Sequence, residues 1–145
     1  MTKFYTDSFE ETMKLGERFA QKIEQGCTIL FFGDLGAGKT TFIKGMAQGL
    51  GIESDAISSP SFQYLKIHQG RLNLYHFDLW RLENCEQFFA QGFDEFLQDP
   101  QGVSCLEWAE KINLIQLGPT IKISLQHERE NRRIIEIQDE KAPTS

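Results

Sequence analysis

The residues best suited to chemistry are gathered in one stretch. Gly33-Asp34-Leu35-Gly36-Ala37-Gly38-Lys39-Thr40, followed by Thr41, reads G-x-x-x-x-G-K-[ST], a phosphate-binding loop. Its residue types have physical reasons. Gly33, Gly36 and Gly38 let the backbone curl so that its N–H groups turn inward on phosphate oxygens. Lys39 would reach the β- and γ-phosphates as a point charge, and the Thr40 hydroxyl would be a ligand of Mg²⁺. Further along, Asp78 and Glu107 each close a short apolar run. Carboxylates at strand ends are where α/β proteins keep their sites, and in phosphate-loop proteins one of them holds Mg²⁺ or its waters.

Such a loop needs a strand before it and a helix after it, and both are legible. Cys27-Thr28-Ile29-Leu30-Phe31-Phe32 is a continuous apolar run of β-favouring residues, the pattern of a buried parallel strand. After the loop, Phe42, Ile43, Met46, Ala47 and Leu50 recur at helical spacing, and Gly51 can end the helix. A helix start adds free N–H donors and partial positive charge. An ordinary glycine-rich turn would need neither the Lys-Thr pair nor these flanks. The reading is a site for a nucleoside triphosphate, ATP, with Mg²⁺.

Composition narrows the class. The chain has 145 residues, 40% hydrophobic and 25% charged, as expected for one globular domain with a real core. No apolar run approaches the roughly twenty residues of a membrane span, and the first residues lack a signal-peptide profile. The expectation is a cytoplasmic protein with no membrane association. Cys27, Cys85 and Cys105 are far apart and form no C-x-x-C pair, so neither a zinc site nor a disulfide framework is indicated. A net charge of −6 disfavours direct binding of nucleic acid, which needs clustered Lys and Arg.

The remaining elements follow in order. Phe4-Tyr5-Thr6 reads as a short edge strand. Asp7 or Ser8 caps a helix reaching about Gln25, with Thr12, Leu15, Phe19, Ala20 and Ile23 as its buried stripe. Residues 51–61 read as a loop carrying Ser58-Ser59-Pro60-Ser61, a place for a segment that senses the γ-phosphate. Residues 62–68 and 72–78 alternate like two strands of a hairpin turning at Gln69-Gly70. His76 in the second strand is read as a hydrogen-bonded structural residue. Residues 79–89 have helical spacing, and a second short helical piece ends at Asp99-Pro100; their aromatics are read as core. Gly102-Val103-Ser104-Cys105-Leu106-Glu107 is a strand, followed directly by Trp108. Residues 109–117 are helical or irregular, and 120–125 and 133–137 are two closing strands separated by a polar turn. The sum is an α/β fold: a P-loop NTPase-like three-layer sandwich, with a mixed sheet that has a parallel core and antiparallel strands. One domain covers residues 1–138, with a flexible tail at 139–145.

The loop is joined by Ser59-Pro60-Ser61-Phe62, by His76-Phe77-Asp78-Leu79-Trp80-Arg81-Leu82 and by Leu106-Glu107-Trp108. In that order and spacing the chain closely resembles the bacterial TsaE (YjeE) family, from the first helix to Arg132. The resemblance implies a P-loop ATPase that takes part in making threonylcarbamoyladenosine in tRNA; its activity alone is expected to be weak, since the sequence shows no built-in arginine finger apart from Arg132. It implies action on a TsaD–TsaB heterodimer, with tRNA met only through that complex. Carried over residue by residue, Lys39 and Thr40 keep their phosphate and metal roles. Asp78 is expected beside the metal or the attacking water, and Glu107 as a metal-side carboxylate. Ser59 and Ser61 fall in the switch-like segment, Arg132 near the nucleotide, and Phe9 against the base. Three positions depart from the family pattern: Ser61 stands for Thr, Trp80 for Tyr, and Asn131 for a Gly, which bears on the local backbone shape. Two other classes use the same loop. A small-molecule kinase would carry a lid with several arginines, whereas those here are scattered. A non-catalytic, nucleotide-dependent interaction module is the other; its GTP-switch form would carry an N-K-x-D base reader, which this sequence lacks.

Overall fold

A computed structural model of the chain describes residues 1–33, 37–52, 65–109 and 120–139. Its strands are β1 (Thr2–Thr6), β2 (Cys27–Phe32), β3 (Leu65–His68), β4 (Asn73–Asp78), β5 (Gly102–Glu107), β6 (Ile121–Arg129) and β7 (Arg132–Asp139). Its α-helices are α1 (Phe9–Gln21), α2 (Lys39–Gly49) and α3 (Cys85–Ala90), and a 3₁₀ turn spans Phe93–Gln98. The strands form one sheet in the order β1-β7-β6-β2-β5-β4-β3. β2 pairs in parallel with β5 and β6, and β4 in parallel with β5. β1, β7 and β3 join through antiparallel pairings. This is the expected mixed sheet with a parallel core.

Helices cover both faces, so the central strands are enclosed from both sides: every residue of β5 is buried. On one face α1 and α2 pack over Ile29, Phe31, Leu74, Val103 and Cys105. The two helices approach closely because glycine faces backbone at the crossing. A Cβ on Gly45 would lie 1.9 Å from the Met13 carbonyl oxygen, and one on Gly16 would lie 2.2 Å from that of Phe42. On the other face α3 and the 3₁₀ turn close over Leu30, Phe77 and Leu106. There Phe77 meets Phe88, Phe93 and Phe96 with ring centroids 5.5–6.3 Å apart, the tilted geometry aromatic pairs prefer. At the sheet's other end Arg71 donates to the carbonyls of Ala20 and Ile23, tying the end of α1 to the β3–β4 hairpin.

Four expectations are corrected. Residues 79–84 do not form a helix. The Asp78 carboxylate accepts from the Trp80 amide, the Leu79 amide donates to the Glu107 carbonyl, and the chain turns there. The helix begins only after Asn84, whose side chain accepts from the Gln87 amide as an N-cap. α1 stops at Gln21, before Gln25. β6 and β7 continue through the polar stretch read as a turn, leaving Glu130 and Asn131 between them, so Arg132 opens β7. The positive φ of that turn, 49°, falls on Glu130 and not on Asn131. β7 reaches Asp139, the first residue assigned to the tail. Among the described residues no helix is long and apolar enough to cross a membrane. The expectations for residues 53–64, 110–119 and 140–145 lie outside the described residues.

Candidate functional site

The parallel strands deliver their functional residues to one end of the sheet. β2 runs into Gly33, β4 ends at Asp78 and β5 ends at Glu107, and Asp78 and Glu107 are register partners on neighbouring strands. Gly33 and Gly38 both have positive φ, 142° and 104°, a region that strains residues with a Cβ. At Gly33 a Cβ would also sit 2.3 Å from the Leu125 carbonyl oxygen, so this turn is built for glycine. Asp34, Leu35 and Gly36 lie outside the described residues; Ala37 is buried just before the helix.

The start of α2 differs from the starts of its neighbours. Ser8 caps α1 by accepting from the Glu11 amide, with Glu10 and Glu11 in the first turn. Asn84 caps α3. α2 follows Gly38, which offers no side-chain cap, and has no acidic residue in its first turn. Its leading N–H groups therefore lack the acceptors that the other two helices supply from their own sequence. Thr40 and Thr41, both half-buried, stand in that first turn.

Lys39 is buried, and its ammonium group is held between Gly33 and Trp108. Nζ donates to the Gly33 carbonyl at 2.7 Å and lies 4.2 Å from the centre of the Trp108 ring. Trp108 has φ of 60°, an uncommon conformation for a bulky residue and the kind of strain that gathers at functional sites. That conformation turns the chain after Glu107 and lays the indole over Lys39. Trp80, more than half exposed, packs on the same indole at 5.2 Å.

Beneath lies a pair of residues that sequence reasoning did not connect. His76 Nε2 meets Glu107 Oε2 at 2.5 Å, with both side chains essentially removed from solvent. Cys105, two residues before Glu107, is a core residue whose thiol is pushed well above its ordinary pKa, chiefly by burial. Asp78 is half-buried beside them. Among the described residues no three of His, Cys, Asp and Glu group closely enough to cage a metal ion.

A cleft beside α2 is lined by Ser8, Phe9, Thr12, Gly38, Thr41, Asn131 and Arg133. Phe9, largely exposed, thus stands next to the loop. Arg132, expected near the nucleotide, does not line this cleft. Its guanidinium stacks 4.7 Å over Tyr5, and its Nε forms a 3.0 Å surface ion pair with Glu128. Alternation along β7 sends Arg133 instead to the cleft, where its Nε lies 3.9 Å from a Cβ built on Gly38. Ser59 and Ser61 lie outside the described residues.

Comparison with known proteins places the chain in a family. The family model for TsaE, a threonylcarbamoyl adenosine biosynthesis protein, matches residues 6–135. The tRNA threonylcarbamoyladenosine biosynthesis protein TsaE of Treponema pallidum is 40% identical over 119 residues, spanning 82% of this chain and 87% of its own. Its namesake in Bacillus subtilis is 41% identical over 111 residues, spanning 76% of this chain and 68% of its own. Among solved structures, that of YdiB from B. subtilis superposes with a TM-score of 0.75 at 32% identity, covering 96% of this chain and 85% of that one.

Proposed function

The chain belongs to the TsaE family, and from that premise we propose that it is the ATP-hydrolysing subunit of the machinery that makes threonylcarbamoyladenosine in tRNA. The observation that carries the ATPase reading is the uncapped start of α2 beside the buried Lys39, with two carboxylates in register opposite. An uncapped helix start and a buried ammonium group both favour an anion between them, and a triphosphate tail supplies it.

The residues present fit Mg²⁺ as well. An ion bound mainly through phosphates and waters asks the protein for only one or two carboxylates and a hydroxyl. Asp78, Glu107 and Thr40 would hold it, and it would neutralise charge on the β- and γ-phosphate oxygens. Lys39 would exchange the Gly33 carbonyl for phosphate oxygen. Phe9 and Arg133 would flank the base end of the nucleotide, from the cleft beside Gly38 and Thr41. Asp78 or Glu107 would orient a water in line with the γ-phosphorus and accept its proton as the bond to the β–γ bridging oxygen breaks. Positioning and charge supply most of the effect in such reactions.

The partners proposed are TsaD and TsaB, with tRNA held by their complex, in keeping with the net charge of −6. The test is reconstitution with those subunits and tRNA. Asp78→Ala and Glu107→Ala should still bind ATP by calorimetry but support no repeated modification of tRNA. Full modification with either variant would remove the assigned roles. Wild-type protein that binds no ATP would remove the whole reading.

A further inference from the structure

We propose that His76 is a positioning residue for Glu107, fixing the carboxylate that, on the ATPase reading above, manages the nucleotide's magnesium. His76 is fully buried in β4, where its neighbours Leu74, Tyr75 and Phe77 are core residues. Register places His76 opposite Cys105, so its bond to Glu107 runs diagonally toward the loop end of the sheet. A carboxylate that serves a metal only accepts, so in this role the pair requires the imidazole hydrogen on Nε2. The other ring nitrogen, Nδ1, is buried without a hydrogen-bond partner. A buried polar atom left unmatched lowers stability, and an apolar side chain here would avoid that. What the imidazole provides in return is a donor on Glu107 Oε2 at 2.5 Å.

That donor has a chemical use. Glu107 stands at a strand end, immediately before a residue with strained backbone. A carboxylate there can rotate unless one oxygen is tied. With Oε2 bound to His76, Oε1 is left to face the metal or its waters in a fixed orientation. Partners of this kind behind a metal-side carboxylate are worth roughly ten- to a hundredfold in metal affinity or activity.

The experiment uses the full chain and three substitutions: His76→Gln, whose amide can reach Glu107; His76→Asn, equally polar but too short; and His76→Phe. Thermal unfolding, ATP affinity in EDTA, the Mg²⁺ concentration that half-maximally tightens ATP binding, and kcat are measured for each. Asn and Phe should raise the Mg²⁺ requirement about tenfold or more and lower kcat by a similar factor, with EDTA affinity unchanged. Gln should restore most of both. If all three variants share the wild-type Mg²⁺ dependence, or Gln is as defective as Asn, the imidazole is merely structural and the proposal fails. Should Phe not fold, Gln against Asn decides. Two controls separate the layers: wild-type protein that binds no ATP overturns the ATPase reading beneath the proposal, whereas a Mg²⁺ defect in Glu107→Gln beside a normal His76→Asn overturns the proposal alone.

Discussion

The two faces of the sheet solve burial differently. Under α3 and the 3₁₀ turn the interior is rings and branched chains: Phe77, Phe88, Leu30, Leu106. Its main buried ionisable group among the described residues is Tyr75, whose hydroxyl donates outward to Asp99 at the rim. Under α1 and α2 the same sheet buries Lys39, His76 and Glu107 at its loop end. Burying such groups costs free energy unless each is paired, and pairing here is incomplete at His76 Nδ1. One face is therefore organised for packing and the other gives up some packing for a charged site. The difference predicts which variants lose stability and which lose binding.

The largest effect should be on the aromatic face. Phe88→Ala deletes a fully buried ring that touches Phe77, Phe89 and Phe93. A loss of about 3–5 kcal/mol in denaturant unfolding is expected, with ATP affinity of the folded fraction unchanged. A marked loss of affinity in Phe88→Ala at low denaturant would break the division between faces.

Lys39→Ala should do the reverse. On the proposed reading it removes a charge-assisted contact to phosphate and should weaken ATP by about 3 kcal/mol, roughly a hundredfold, in calorimetry. Thermal unfolding without nucleotide should stay level or rise, because a buried ammonium group is gone. Equal loss of stability would mean that Lys39 serves packing.

Gly45→Ala probes the α1–α2 contact itself. Alanine is the better helix former by about 1 kcal/mol, so propensity alone predicts stabilisation. The added methyl, however, meets backbone, the Met13 carbonyl oxygen at 1.9 Å, which no rotamer relieves. Net destabilisation of about 1–3 kcal/mol is expected from overpacking. A more stable variant would mean that the helices separate freely.

These variants also show what the sequence disclosed. The strand before the loop and the helix after it were legible because each rests on local spacing. Parallel core strands were legible as apolar runs. The stretch from Leu79 to Leu82 misled because two buried leucines three apart fit a turn as well as a helix; the N-cap at Asn84, with Gln87 three residues on, was the signal that marked the true start. The charged residues of β6 and β7 looked like a turn because that ribbon is solvent-exposed. One more residue of strand decides which arginine faces the cleft, so Arg133 was not separable from Arg132. The bond between His76 and Glu107 joins residues 31 apart and depends on the pairing of β4 with β5, which no local pattern encodes.

The smallest expected effect concerns a polar pair at the rim of the aromatic face, Tyr75 and Asp99. The Asp99 carboxyl lies below its ordinary value of 3.8, chiefly because the Tyr75 hydroxyl donates to it, with help from the Gln101 amide. The Tyr75 hydroxyl is raised above 10.0 by the same bond first and by burial second. The signs oppose one another. A depressed carboxyl contributes stability that is present above its unfolded value and is lost as pH falls through the folded one, below about 4. A raised phenol contributes stability that is present below its unfolded value and is lost as pH climbs through the folded one, above about 10. Tyr75→Phe should therefore flatten the stability profile at both extremes, in thermal unfolding scanned from pH 2 to pH 11. It should leave ATP affinity at pH 7 untouched, since the hydroxyl faces away from the loop. A profile that keeps both slopes in Tyr75→Phe would assign them to other groups. A change in ATP affinity would show the two faces to be coupled through β4.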